Sequence, residues 1–325
     1  MEPNERSGCL KAPYAKTWLS VTGQLQKLKD AGLEIECTTD AEAFLRHLNY
    51  YRFSGYGLAF EASRHQFIKG TSFEQIRHAY EFDRNLRDLI YESMEVIELD
   101  IRTSAAYTFG EKYQAFGHTD TENFYTAVKH TGKKNEEAAF NHKQWLGSLR
   151  GESKRSSERF IEHFEKTYSE FPDLPIWVAT EIMSFGTLSR MIEGMQKADV
   201  KRIASRYKLQ PLDFISALHH LVYVRNLCAH HARLWDREWS IKPELPQGKL
   251  WQAPQLLSNG HLFASLLLQR KLLTYCAAES NFTNNWCQRI ETLITDDAPK
   301  CPNALKKMGL TENWKAHPVW TTEAK

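Results

Sequence analysis

The stretch FDRNLRDLIYESMEVIELDIRTSAAYT, residues 82–108, decides the fold class. Apolar side chains recur at Leu86, Leu89/Ile90, Met94, Ile97, Ile101 and Ala105. Those spacings of three and four mark one face of an α-helix, not the alternation of a strand. Asp83–Arg87 and Glu98–Arg102 stand four residues apart, where opposite charges support a helix.

The same periodicity continues on both sides. It predicts helices over 18–31, stopped at Gly32, and over about 41–53, capped by Thr38, Thr39 or Asp40 and ending at Gly55. Another opens at Thr71 or Ser72, with Glu74 in its first turn. Residues 110–135 read as loop, punctuated by Gly110, Gly117 and Gly132. Helical spacing resumes over 154–170 until Pro172 and Pro175, then over 174–195 with a break near Gly186. A helix over about 211–233 starts with Pro211 in its first turn. Residues 240–260 form a connector, helices follow at 261–278 and 283–295, and the last 25 residues are irregular, packing through Trp314 and Trp320. There are no strand-like runs joined by hairpin signals. The expectation is an all-α protein with an N-terminal helical segment (1–70), a helical core (71–240) carrying a loop and basic insertion near 110–160, and a C-terminal helical extension (241–325), together one compact unit.

Composition narrows the function classes. The 325 residues are 42% hydrophobic and 25% charged, which is globular rather than disordered. Lys+Arg 42 against Asp+Glu 40 leaves a net charge of +2, so any nucleic-acid site is a local patch and not a uniform basic coat. Six scattered cysteines contain no C-x-x-C pair, which argues against a zinc site or disulfide framework and for a reducing cytoplasm. No apolar leader or membrane-length run is visible, and no glycine-rich phosphate loop, nucleophile elbow or H-E-x-x-H appears. No metal, cofactor or membrane partner is expected.

Chemistry concentrates in Arg225-Asn226-Leu227-Cys228-Ala229-His230-His231, followed by Ala232-Arg233-Leu234-Trp235. A guanidinium grips a phosphate with a planar fork of donors, and imidazoles move protons near neutral pH. On a helix, Phe214, Leu218, Leu221, Cys228 and Ala232 share one stripe with Arg225 in its middle, while His219, Tyr223, Asn226, His230 and Arg233 share another. Asn226 and His230 are four apart, so the carboxamide can orient the imidazole. Arg225 and His230 are five apart, about 140° around a straight helix, and so point away from each other. Acting on one phosphate requires a helix break, a long reach by Arg225 or the matching residues of a second copy. The plainer alternative is a buried arginine paired with a carboxylate of the 92–100 helix, beside surface histidines.

Other segments have two readings each. Tyr50-Tyr51-Arg52-Phe53-Ser54-Gly55-Tyr56 suits base stacking and phosphate contact by Tyr51 and Arg52, and equally an aromatic helix end packed in a core. Residues 129–159 hold eight Lys/Arg against four acidic residues, which makes Lys133, Lys134, Lys154 and Arg155 candidates for phosphate contact or for a solvated face. Asp83, Glu92, Glu95 and Glu98 read as salt-bridged helix support rather than a catalytic carboxylate cluster.

Several motifs together resemble the Abi-like (AbiD/AbiF-type) abortive infection proteins of the HEPN superfamily. They are Asn49 to Tyr56, Phe82-Asp83-Arg84-x-Leu86-Arg87 with its continuation to Arg102-Thr103, Leu174-Pro175-Ile176-Trp177, Ser184 to Ser189, and Arg225-Asn226-x-x-Ala229-His230-His231-x-Arg233-Leu234-Trp235. They occur in the family's order over about residues 11–245. The resemblance implies a HEPN-like helical bundle, an R-x4-6-H ribonuclease motif and a growth-arresting role in phage defence, in some members restrained by a small non-coding RNA. On that basis Arg225, Asn226, His230 and His231 are expected to be catalytic. Arg233, Arg52, Tyr51, Lys133, Lys134, Lys154 and Arg155 are expected to contact RNA, as substrate or as regulator. One motif per chain implies a C2 homodimer. DNA is not specifically expected. The reading from another class is a non-catalytic protein that binds a structured RNA in a toxin–antitoxin ribonucleoprotein. Nucleotidyl transfer ranks below both, because no carboxylate pair is spaced for two metals.

Overall fold

The computed structural model describes residues 14–15, 17–125, 140–248, 250–251, 256, 258–276 and 281–321. Among them are fourteen α-helices and one two-stranded sheet, an all-α protein. The chain divides into two compact units, Met1–Tyr80 and Glu81–Lys325.

The first unit holds α1 (Val21–Asp30), α2 (Thr38–Leu48), α3 (Tyr50–Gly57) and the antiparallel strands β1 (Glu61–Ser63) and β2 (Gln66–Phe67). Ser20 caps α1 by accepting from the Gly23 amide. The single helix expected over 41–53 is instead α2 and α3, divided at Asn49. Asn49 takes φ 76°, and its carboxamide oxygen accepts from the Tyr51 amide, so one residue ends one helix and caps the next. Phe53 stacks on Phe73 at 4.3 Å, with Phe44 edge-on to both. The short hairpin has no counterpart in the sequence expectation; five strand residues give too little alternation to read.

Helix α4 (Phe73–Tyr113) begins in the first unit and runs on through the second, joining the helix expected from Thr71 or Ser72 to the one expected over 82–108. Phe82, Leu86, Ile90, Met94, Ile97, Ile101, Ala105 and Phe109 are all essentially inaccessible, so the sequence stripe is the core face. The second unit adds α5 (His142–Arg155), α6 (Arg159–Thr167), α7 (Ile176–Ile182), α8 (Phe185–Gly194), α9 (Lys197–Arg206) and α10 (Pro211–Ala229). It closes with α11 (Leu262–Leu273), α12 (Phe282–Asp296), α13 (Ala304–Lys307) and α14 (Pro318–Thr321). The break expected near Gly186 falls at Ser184, whose hydroxyl caps α8 through the Thr187 amide. Helix α10 packs against α8, α9 and α11, and Trp314 and Trp320 are buried as expected.

A polar chain crosses this core. His220 bonds the Ile241 carbonyl through Nδ1 and the Ser265 hydroxyl through Nε2, both at 2.7 Å. Gln269 donates to the Ser265 carbonyl at 3.2 Å and accepts from the Ser93 hydroxyl at 2.5 Å. Each group is thereby satisfied without water, which is what makes its burial tolerable. Burial pushes the His220 imidazole down to about 4 and does the same to His118.

The unfolded chain takes up these two protons near the ordinary value of 6.5, whereas the folded chain excludes them down to about 4. Stability is therefore complete above about pH 6.5 and falls as the pH drops through that window. Each histidine should cost about 2 kcal/mol between pH 7 and pH 5. Urea denaturation at the two pH values measures the loss. His220→Asn should flatten the dependence by its share, and a variant with the wild-type pH profile would contradict the assignment.

Candidate active site

The site grows from one buried carboxylate. Asp83 on α4 is fully buried and accepts from the Leu234 amide at 3.0 Å and the Trp235 amide at 2.8 Å. Arg87, one turn on, donates to Asp83 and to the Ala232 carbonyl, the latter at 3.3 Å. The pair expected to support a helix thus also clamps residues 232–235, and Leu234 and Trp235 plug the core beneath it. The Phe82-Asp83-Arg84-x-Leu86-Arg87 and Arg225 to Trp235 motifs meet at this clamp.

The clamp stands where α10 stops. The helix ends at Ala229 and not near 233 as expected from periodicity. His231 adopts φ 54°, its amide bonds the Cys228 carbonyl at 3.0 Å, and the Ala232 amide bonds the Leu227 carbonyl at 2.8 Å. This is a Schellman ending with histidine in the left-handed position usually held by glycine. The left-handed backbone of a β-carbon-bearing residue carries strain of the kind that accumulates at functional sites. His230 and His231 are both exposed at the C-terminal end of α10.

Arg225 sits one and a half turns back and is 29% exposed. Its Nη1 donates to the Asn226 carboxamide oxygen at 3.3 Å, and its Nη2 lies 3.8 Å from Glu98 Oε2 on α4. The other Glu98 oxygen is held at 2.6 Å by Arg102, which also donates to the Thr180 carbonyl of α7. The plainer reading of Arg225 is therefore met in part, since a carboxylate of the 92–100 helix does face it, at the outer limit of an ion pair. The side-chain contact expected between Asn226 and His230 is not present. The carboxamide turns to Arg225 instead, and only the Asn226 carbonyl reaches the His230 amide, at 3.0 Å. Burial pushes the intervening Cys228 thiol up to about 12, so it supplies no thiolate.

Arg233 is half-buried. Lys154 and Arg155 are exposed at the end of α5, which packs on α7 and α8. Within the basic segment Arg150 is committed to Asp173 through two bonds of 2.6 and 2.7 Å. Lys133 and Lys134 lie outside the described residues. Tyr51 and Arg52 belong to the first unit; Tyr51 is 85% exposed while Phe53 and Tyr56 are buried, so that motif is largely a packed helix end. Sequence reasoning offered a carboxylate of residues 92–100 for Arg225 without singling out Glu98, whose i,i+4 partner Arg102 already accounted for it. Among the described residues no group of three His, Cys, Asp or Glu side chains is placed to hold a metal, and no helix is long and apolar enough to cross a membrane.

The model of one protein family, described as Abi-like protein, matches residues 43–236, more than half of the chain and including both clamped motifs. The chain belongs to the Abi-like family. It is thereby an abortive infection protein of the Abi-like kind. No curated protein and no solved structure gives a significant match to it.

Removing Asp83 leaves the Arg87 charge buried and the Leu234 and Trp235 amides without their acceptor. Asp83→Ala should therefore cost the Abi-like protein about 3–5 kcal/mol. Glu92→Ala breaks only a half-exposed pair with Arg289 and should cost under about 1 kcal/mol. Chemical denaturation of the two variants decides the comparison, and similar losses would deny the clamp its role.

Proposed function

We propose that this Abi-like protein is a metal-independent endoribonuclease of the HEPN type whose RNA cleavage arrests growth during phage infection. The observation that carries the reading is the loosely held, part-exposed Arg225 guanidinium beside a helix end that carries two exposed imidazoles. On a straight helix Arg225 and His230 point about 140° apart. The left-handed turn removes that constraint for His231 alone; His230, whose amide still bonds the Asn226 carbonyl at 3.0 Å, keeps its helical direction and needs a long reach by Arg225 or the Arg225 of a second copy.

The chemistry uses only side chains of this segment. One imidazole takes the proton of a ribose 2′-hydroxyl, and that oxygen attacks the adjacent phosphorus. The P–O5′ bond breaks and a second imidazole protonates the departing 5′-oxygen. His230 fills one role; the complement is His231 or His230 of a second copy in a C2 homodimer. Arg225 stabilises charge developing on the phosphoryl oxygens, and Asn226 holds its fork. The products are a 2′,3′-cyclic phosphate and a 5′-hydroxyl. Arg233 and the exposed pair Lys154 and Arg155 provide cationic contacts for the RNA, whose hold should weaken with salt.

RNA cleavage in EDTA by wild type, Arg225→Ala and His230→Ala tests the proposal. Each substitution should lower the rate at least about 100-fold. Equal rates in all three would refute it, and loss of wild-type activity with EDTA would point to a metal. An RNA that co-purifies intact, with no cyclic-phosphate ends, would favour the non-catalytic RNA-binding reading.

A further inference from the structure

A cavity of about 260 Å³ opens beside Arg225, lined by Tyr91, Met94, Glu95, Glu98, Leu99 and Arg225. It lies below the roughly 300–1,000 Å³ of ordinary small-molecule sites, which suits one ring system rather than a whole nucleotide. Tyr91 and Leu99 are 44% and 53% exposed, an aromatic face and an aliphatic edge at the mouth. Tyr91, Glu95 and Leu99 recur every four residues and so share one face of α4.

The polar groups have a fixed order. A guanidinium only donates, and ionised carboxylates only accept. Arg225 Nη2 stands 3.8 Å from Glu98 Oε2, so one donor lies next to one acceptor. Glu98 Oε1 is already taken by Arg102 at 2.6 Å, and Glu95, exposed at the cavity wall, adds further acceptor capacity. Arg102 and Arg225 balance Glu95 and Glu98 in charge, so the cavity does not repel a polyanion outright.

We propose that this cavity is a base-recognition pocket that reads guanine next to the scissile phosphate of an RNA. The reading rests on the nuclease role of Arg225 given above. Guanine presents an acceptor, O6, followed by two donors, N1–H and N2–H, which complements a donor followed by acceptors. Uracil offers a single donor between two acceptors. Adenine and cytosine place a ring acceptor where the carboxylates need a donor. The face of Tyr91 stacks on the base, as aromatic side chains do on unpaired nucleotides. Five N–H groups allow Arg225 to serve O6 and a phosphate oxygen at once, so base recognition also aims the catalytic group.

Titration calorimetry of the full-length protein with 2′-O-methyl trinucleotides UGU, UAU, UCU and UUU tests this without cleavage, and free guanosine monophosphate forms a fifth arm. UGU should bind at least about tenfold more tightly than UUU. Tyr91→Ala and Glu95→Gln, both at exposed positions, should each erase most of that preference while leaving the thermal melt unchanged. Equal binding of the four trinucleotides, or a preference that survives both substitutions, overturns the pocket. Guanosine monophosphate binding as tightly as UGU overturns its assignment to RNA. Guanine preference without any cleavage defeats only the nuclease reading, and cleavage without base preference defeats only this one.

Discussion

Everything placed near Arg225 depends on the ion pair between Asp83 and Arg87. Burying two charges is expensive, and their mutual attraction seldom repays it alone. Here the carboxylate also accepts the Leu234 and Trp235 amides, and the guanidinium also serves the Ala232 carbonyl. Three backbone groups that follow a helix end are satisfied in one step, where they would otherwise be orphaned away from water. The clamp therefore specifies a path for the chain more than it adds stability. With residues 232–235 fixed, α10 cannot continue, and the turn at His231 is the local price of that anchoring.

The segment beyond the family-matched region acts as a buttress for the same elements. Ser265 and Gln269 of α11 join His220 of α10 to Ser93 of α4. Trp286 of α12 donates to the Leu89 carbonyl at 2.8 Å, and Arg289 pairs with Glu92 at 2.7 Å. Lys307 of α13 lies over the Trp235 ring and bonds Asp236 at 3.0 Å. The two helices that carry the motif residues are thus braced from the side that the family resemblance does not cover, and α11, α12 and α13 hold α4 and the end of α10 in register.

The parts of the structure legible in the sequence are those whose causes are local. The α4 stripe from Leu86 to Ala105 declares itself because every third or fourth residue must face the same core. The i,i+4 pairs Asp83–Arg87 and Glu98–Arg102 are visible for the same reason. The division of α2 from α3 at Asn49 is hidden, because asparagine tolerates a positive φ without announcing that it takes one. The end of α10 is hidden for a stronger reason. The group that stops it, Asp83, lies some 150 residues away in sequence, and the periodic residues up to Ala232 continue past the break. Glu98 is legible as a helix-supporting acid and as one of the carboxylates of residues 92–100 that could face Arg225, but only the packing of α10 near α4 singles it out.

The division of Glu98 between two arginines explains how Arg225 can be both ordered and available. A guanidinium with no partner in a part-buried setting would pay for its desolvation. One locked in a bidentate pair, as Arg150 is by Asp173, would have its fork occupied. Arg225 has neither fate. Arg102, tied to the Thr180 carbonyl, holds Oε1 of Glu98, and Oε2 stays 3.8 Å from Arg225. Asn226 contributes one neutral hydrogen bond at 3.3 Å, weaker than a charged acceptor would give. The Arg225 fork is therefore ordered but weakly engaged, and the RNA contact proposed for it would require no strong bond to be broken first.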